Sequence, residues 1–406
     1  MSRLDELIQE LCPNGVKFIT LNKICGVYDG THQTPKYTDS GIKFASVENI
    51  AEPYATEKYI SLADYEKYKI KPQRNDLLMT RIGSIGVCTV IESDEPLAYY
   101  VSLALLRPDN KVLNSRYLKY AIESLHCRKE LRKRTLVNAV PIKINMGDIG
   151  KITVPVPPLE VQSEIVRILD NFTLLTAELT AELTARKKQY EYYRNHLLTY
   201  DASVKVQTLG EVCNISTGGD APKEAMTKEK TEEFSIPIIS NGIGENALYG
   251  YTNIAKINTP AVTIAARGTI GYAEYRDYPY FPIIRLLSAI PKDTSVVDTK
   301  YLYYCLQGKQ YSVPMGGIPQ LTAPELKKVE IPVPPLDVQN RLVEVLDNFD
   351  IICSDLNIGL PAEIEARQKQ YEFYRDALLT YAATGKIILT DRQTDRQTDR
   401  QTSIMR

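Results

Sequence analysis

Residues 155–172 read PVPPLEVQSEIVRILDNF, and residues 332–349 read PVPPLDVQNRLVEVLDNF. Twelve of these 18 positions are identical at an offset of 177. A second pair, ARKKQYEYYRNHLLTY at 185–200 and ARQKQYEFYRDALLTY at 366–381, shares 12 of 16 positions at an offset of 181. Two blocks recurring in the same order mean that the chain is written twice. Fainter echoes extend the repeat: VKFITLNKIC (16–25) against VKVQTLGEVC (204–213), Gly83-Ser84-Ile85-Gly86 against Gly268-Thr269-Ile270-Gly271, and Tyr117-Leu118-Lys119-Tyr120 against Tyr301-Leu302-Tyr303-Tyr304. After the second block TGKII (384–388) resembles SVKVQ (203–207), as expected of a chain whose end closes onto the region of its beginning.

Each block follows a proline-rich lead-in whose fixed φ and missing donors favour an extended entry into a helix. Positions then recur in steps of three and four, apolar except for Arg186 on the seam: Val161, Ile165, Ile168, Phe172, Leu175, Leu179, Leu183, Arg186, Tyr190, Tyr193, Leu197 and Tyr200. The second block repeats them at Val338, Leu342, Val345, Phe349, Ile352, Leu356, Leu360, Ile364, Tyr371, Tyr374, Leu378 and Tyr381. This is a coiled-coil period with a stutter. It predicts two long helices packed antiparallel, with Ile165, Phe172, Leu179 and Tyr190 meeting Leu342, Phe349, Leu356 and Tyr371. Gly359-Leu360-Pro361 predicts a bend or restart in the second block. The first carries a tandem TAELTAEL at 176–183, and one such unit is about one helical turn, roughly 6 Å. A bare dimerisation coil is the plainer alternative, and the long segments between the blocks argue against it.

Bulk properties narrow the class. At 406 residues the chain calls for two or three domains. No apolar run is long enough to span a membrane, and the acidic, amphipathic start MSRLDELIQELCPNG fits no export signal, so a cytoplasmic location is expected. Seven widely spaced cysteines without a Cys-x-x-Cys pair point to reduced thiols rather than to zinc or disulfides. A net charge of −1 means that any attraction for nucleic acid must be local.

The intervening segments are rich in tyrosine and β-branched residues broken by glycine and proline, as in DLLMTRIGSIGVCTVIE (76–92), which predicts mixed α/β domains. Residues 116–134 carry seven Lys or Arg against two Glu, making Arg128, Lys129, Arg132, Lys133 and Arg134 candidates for phosphate contact or a solvated helix face. The loop DGTHQTPKYTDSG offers Thr31, His32, Gln33, Lys36 and Tyr37 as base-edge or surface residues. Arg74, Arg81, Arg267 and Arg285 have the fork that reads guanine, although a structural ion pair is the commoner fate of each. Ser84, Lys223, Asn241, Tyr251, Thr269 and Gln320 complete the candidates from glycine-bearing loops.

The doubled helical block, the TAEL tandem and the two divergent segments resemble the specificity subunits of type I restriction–modification systems, in particular those with TAEL units in the central spacer. The resemblance covers residues 1–389. It implies an α+β architecture with target-recognition domains at 1–151 and 201–328 and helical spacers at 152–200 and 329–384; the hydrophilic repeats beyond them predict a disordered tail at 385–406. It further implies a pseudo-twofold relation and two antiparallel helices holding the domains apart. Each domain would read one half of an interrupted DNA site in the major groove. The partners implied are double-stranded DNA, two methyltransferase subunits and restriction subunits. S-adenosylmethionine, ATP and Mg would serve the complex rather than this chain.

No catalytic constellation stands against that expectation. The Pro-Pro pairs lie in Val156-Pro157-Pro158-Leu159 and Val333-Pro334-Pro335-Leu336, lacking the polar residue and aromatic of an amino-methyltransferase motif, and no phosphate-binding glycine loop is present. Pro108-Asp109 and Glu325-Leu326-Lys327 are nuclease-like fragments in different repeats, while His32, His126 and His196 lack metal-ligand spacing. The alternatives are a specificity chain whose partner fuses methylation and cleavage, and a coiled-coil scaffold with two protein-binding domains and no DNA role. Residues 391–402 are DRQT three times over. Tandem GACA encodes this unit as GAC-AGA-CAG-ACA, so a slippage-prone, phase-variable tract is one reading and an inert hydrophilic tail the other.

Overall fold

The computed structural model describes residues 2–33, 35–199, 204–311 and 319–386; the DRQT tail lies outside them. The chain divides into two compact units, residues 1–179 with 364–406, and residues 180–363. The divisions fall within helices rather than at the limits expected for the recognition domains. The reason is packing: each helical stretch shares a core with the globular fold beside it.

In the first unit a helix, α1 (Arg3–Leu11), opens with a capping box on Ser2 and Asp5. The main sheet is antiparallel, ordered Cys25–Asp29, Leu103–Pro108, Leu77–Thr80 and Cys88–Val90. A second sheet pairs Ile42–Ala45 parallel with Leu97–Tyr99. The second unit repeats this order with Cys213–Thr217, Leu287–Pro291, Ala261–Ile264 and Ala273–Arg276, and again has one parallel pair, Ile236–Ile239 with Phe281–Pro282. Each repeat is closed by a short antiparallel pair joining its first strand to its last: Phe18 opposite Pro155, and Val206 opposite Pro332. The architecture is α+β, one mixed α/β fold built twice.

The helices that matter below are α2 (Ser115–Glu123), α3 (Leu125–Arg134), α4 (Leu159–Leu197), α5 (Thr299–Leu306), α6 (Leu336–Ser354) and α7 (Leu360–Thr384). The basic run at 116–134 is thus two helices, because Ser124 ends α2 and its hydroxyl caps α3 through the amide of Cys127. The second helical block stops at Ser354 and restarts at Leu360. Between them the Asp355 carboxylate accepts the amides of Asn357 and Ile358, and a Cβ on Gly359 would lie 2.4 Å from the Ile351 carbonyl.

In the first unit Val161, Ile165 and Leu169 of α4 and Leu379 and Ala382 of α7 belong to one core with the sheet, and Phe172 stacks on Tyr374 at 5.2 Å. In the second unit Phe349 lies 6.4 Å from Tyr190 and 5.8 Å from Tyr193, while Cys353 lies in the field of Lys187. Residue numbers fall along α6 as they rise along α4, so this pair is antiparallel. The seam differs from the expected one. Leu356 is 72% exposed in the turn after α6, and Val338, Val345, Ile352, Leu175 and Tyr193 are exposed as well. The buried stripe of α6 is Gln339, Leu346 and Cys353. It is rotated because α6 packs against Tyr303 and Tyr304 of α5 as well as against α4, and a period read for helix-on-helix contact ignores that second neighbour.

The same polar clamp fixes both helices to their folds. Gln162 is wholly buried; its amide nitrogen donates to Pro157 and Val112 carbonyls at 2.7 and 2.8 Å, and its oxygen accepts the Asn114 amide at 2.8 Å. Gln339 does the same with Pro334, Val296 and Asp298. Tyr117 donates to the Pro155 carbonyl and Tyr301 to that of Pro332. Tyr120 and Arg116 hold Asp170; Tyr304 and Lys300 hold Asp347. The repeated glutamine, aspartate and tyrosines of the sequence are this clamp.

Candidate nucleic-acid interface

Three loops of the first unit converge on one buried arginine. Arg81 directly follows the strand Leu77–Thr80 and is 7% exposed. Its guanidinium donates to the Asp29 carboxylate at 3.0 Å, to the Val101 carbonyl at 2.9 Å and to the Ile144 carbonyl at 3.2 Å. Asp29 in turn holds the His32 ring nitrogen at 2.8 Å, leaving His32 exposed on its loop. Arg81 is therefore a brace rather than a base reader, because its Nε and Nη1 are committed to three acceptors inside the fold and the side chain is too buried to reach a groove.

The turn after it, Gly83–Gly86, has both glycines at positive φ and presents Ser84 to solvent. Ile82 and Leu136 both pair with Lys143, and Gly83 donates to Ile142, so this turn also anchors the loop that follows α3. Of the basic residues there, Arg128, Lys129 and Arg132 are exposed without ion pairs, whereas Lys133 and Arg134 both bind Glu130. Such surface pairs contribute about 0.2–1 kcal/mol each, so a phosphate can replace the glutamate. Arg74 is tied to Asp94 by two of its nitrogens and is not a free fork.

A cleft of about 610 Å³ adjoins the first loop. Thr31, Gln33 and Lys36 line it together with Lys67, Tyr68 and Lys69. Lys67 pairs with Asp64, while Lys36 and Lys69 are exposed without ion pairs. Tyr37 stands exposed nearby in sequence with its ring edge-on to Phe44. Lys67, Lys69 and Lys143 were missed in the sequence. The alternation of tyrosine and lysine in YEKYKIK (65–71) was the available signal for the first two.

The second unit reaches a comparable geometry by another route. Backbone bonding aligns Ala266, not Arg267, with Arg81: Ile144 donates to Arg81 and Leu321 to Ala266. One residue along a strand reverses the side-chain direction, so Arg267 is half-buried and binds the Gln320 oxygen at 2.7 Å. The brace is Asn241 instead, donating to Ile284 at 2.6 Å and accepting from Ala266 at 2.7 Å, with Thr269 bonded to the Asn241 carbonyl. Asn241 and Thr269 thus hold loops together rather than stand free. Tyr251 is half-buried in the strand Leu248–Thr252, and Lys223 is exposed. Arg285 is exposed without an ion pair, and both it and Ile284 adopt positive φ (62° and 52°). Amides donated to Gly219 and Gly218 hold that turn, which costs on the order of 1 kcal/mol per non-glycine residue.

Among the described residues no group of three or more His, Cys, Asp or Glu is placed to hold a metal ion. Nor is any described helix long and apolar enough to cross a membrane. All seven cysteines are free, and burial pushes the Cys25, Cys127 and Cys213 thiols up to about 12.

The sequence profile of the type I restriction modification DNA specificity domain matches residues 13–186 and again 202–366. The chain belongs to this family. The specificity subunit is 34% identical to a protein of Mycoplasma pneumoniae named as a type I specificity subunit, over 70% of this chain and 87% of that one. It is 36% identical to the EcoR124I/EcoR124II specificity subunit of Escherichia coli over 57% of this chain and 63% of the other. A solved S subunit from M. genitalium superposes with a TM-score of 0.52 at 15% identity, covering 90% and 96% of the two chains. A chain from a study of type I complex assembly and conformational transition superposes at 0.60 with 15% identity, covering 91% and 98%. At that identity the likeness concerns fold. The specificity domain is a DNA-recognition module, and this specificity subunit is non-catalytic.

Proposed function

We propose that the chain reads the two halves of an interrupted duplex site, one with each specificity domain. Its long helices set the gap and dock two methyltransferase subunits, which restriction subunits join. The observation that carries the reading is the doubling of a DNA specificity domain, each copy bolted to its helix by the same glutamine–tyrosine–aspartate clamp. A stiff attachment makes helix length a determinant of the gap.

Exposed apolar side chains on the helices, Leu174 and Leu175 on α4 and Ile351 and Ile352 on α6, support protein partners there. S-adenosylmethionine, ATP and Mg belong to those partners, which would flip target adenines out of the duplex to methylate them. The reading places the protein in the cytoplasm.

Methylome sequencing of cells with and without the gene tests this. The expected result is a discrete two-part motif that disappears with the gene. A third TAEL unit after Leu183 should lengthen α4 by roughly 6 Å and the gap by about one or two base pairs. Methylation unaltered by loss of the gene would favour the scaffold without a DNA role.

A further inference from the structure

The loop between α3 and Ile144 carries four exposed apolar side chains: Leu136 (44% exposed), Val137 (64%), Val140 (100%) and Ile142 (37%). Its base is fixed. Leu136 donates to the Lys143 carbonyl at 2.7 Å, Gly83 donates to Ile142 at 2.9 Å, and Ile144 donates to Arg81 at 3.0 Å. Valines held out on a rigid base gain nothing in the free protein, since apolar surface is favoured out of water. A cluster of this kind marks a contact surface.

Charge selects the partner. The loop leaves the last turn of α3, with Arg132, Lys133 and Arg134, and returns through exposed Lys143. The exposed apolar residues of α6 are interspersed instead with Asp337, Glu344 and Asp350 against the single cation Arg341, a net acidic border that disfavours phosphate. The apolar loop with cations at both ends matches the wedges that proteins insert between base steps while flanking cations hold the backbone.

We propose that Val137 and Val140 form a wedge that enters the duplex at the half-site read by the first specificity domain and unstacks one base step. This deepens the reading above and rests on it. The wedge joins the base-reading loops through Arg81, which binds the carbonyl of Ile144 at its root and Asp29 beside His32.

The test uses the full-length chain with its methyltransferase partner and duplexes of the methylated motif carrying 2-aminopurine at successive positions. Wild type should raise fluorescence at one step of one half-site. Val137→Ser with Val140→Ser should abolish that rise and weaken binding about tenfold, while melting temperature and co-purification with the methyltransferase stay unchanged. Arg128→Gln with Arg132→Gln should weaken binding yet keep the fluorescence rise. An unchanged rise in the valine double variant overturns the wedge and leaves sequence reading intact. Loss of co-purification in that variant also overturns it, making the loop a protein-docking surface. A wild-type complex that methylates no motif removes both the wedge and the reading beneath it.

Discussion

The Val16 amide donates a hydrogen bond to the Ala383 carbonyl, 3.0 Å away, tying the segment after α1 to the end of α7. The approach is close enough to exclude a side chain. Gly15 has a φ of +76°, and a Cβ there would lie 2.3 Å from the Ala383 oxygen. Gly385 returns the contact, with its own Cβ position 2.3 Å from the Pro13 oxygen. The end of the second repeat thus closes on the start of the first.

Gly15→Val should therefore destabilise the first unit by about 2–3 kcal/mol, from backbone strain plus the clash. Gly147→Ala, where a Cβ meets nothing within 4 Å, should be neutral or slightly stabilising. Thermal denaturation compares the two. Equal melting temperatures would show that the closure does not constrain the fold.

Gln162→Leu leaves the Asn114 amide and two carbonyls unsatisfied in a dry site, costing about 2–4 kcal/mol. Gln339→Leu should cost a similar amount, since its three partners are equivalent. Urea unfolding measures both. A neutral effect at either position would mean that the clamp does not hold that fold to its helix.

Arg81→Met removes the brace on Asp29 and on the root of the third loop. Asp29 keeps partial access to water, so the stability loss should be about 2 kcal/mol rather than that of a fully buried pair. Methylome sequencing should find one half of the motif relaxed and the other half unchanged. Relaxation of both halves alike would contradict a local role.

Glu123 makes the pH prediction. Burial raises its carboxyl pKa above 4.5, outweighing Lys119, the Cys88 amide, Arg375 and Arg128, which pull it down. A raised carboxyl pKa means that the folded state binds the proton more tightly than the unfolded one. Its favourable contribution is complete below pH 4.5 and is lost as pH rises through the raised folded value. Glu123→Gln keeps a partner for the Cys88 amide without the charge. The variant should be the more stable at pH 7, with the difference vanishing below about pH 4.5. Melting temperatures that differ by the same amount at both pH values would remove Glu123 as the cause.

The repeat, the helices and the basic stretch of α3 were legible in the residues alone, because identity at a fixed offset and apolar spacing are properties of the chain itself. Arg128, Lys129 and Arg132 followed from local charge in the same way. Which face of α6 is buried was not legible, since the helix has two neighbours and the spacing of Val338, Val345 and Ile352 records neither. The one-residue offset between Arg81, two before Gly83, and Arg267, one before Gly268, was legible. That it turns the first inward to Asp29 and leaves the second on Gln320 was not. A side chain's neighbours far along the chain decide whether its donors are spent inside or left for a partner, and only the folded backbone brings those neighbours within 3 Å.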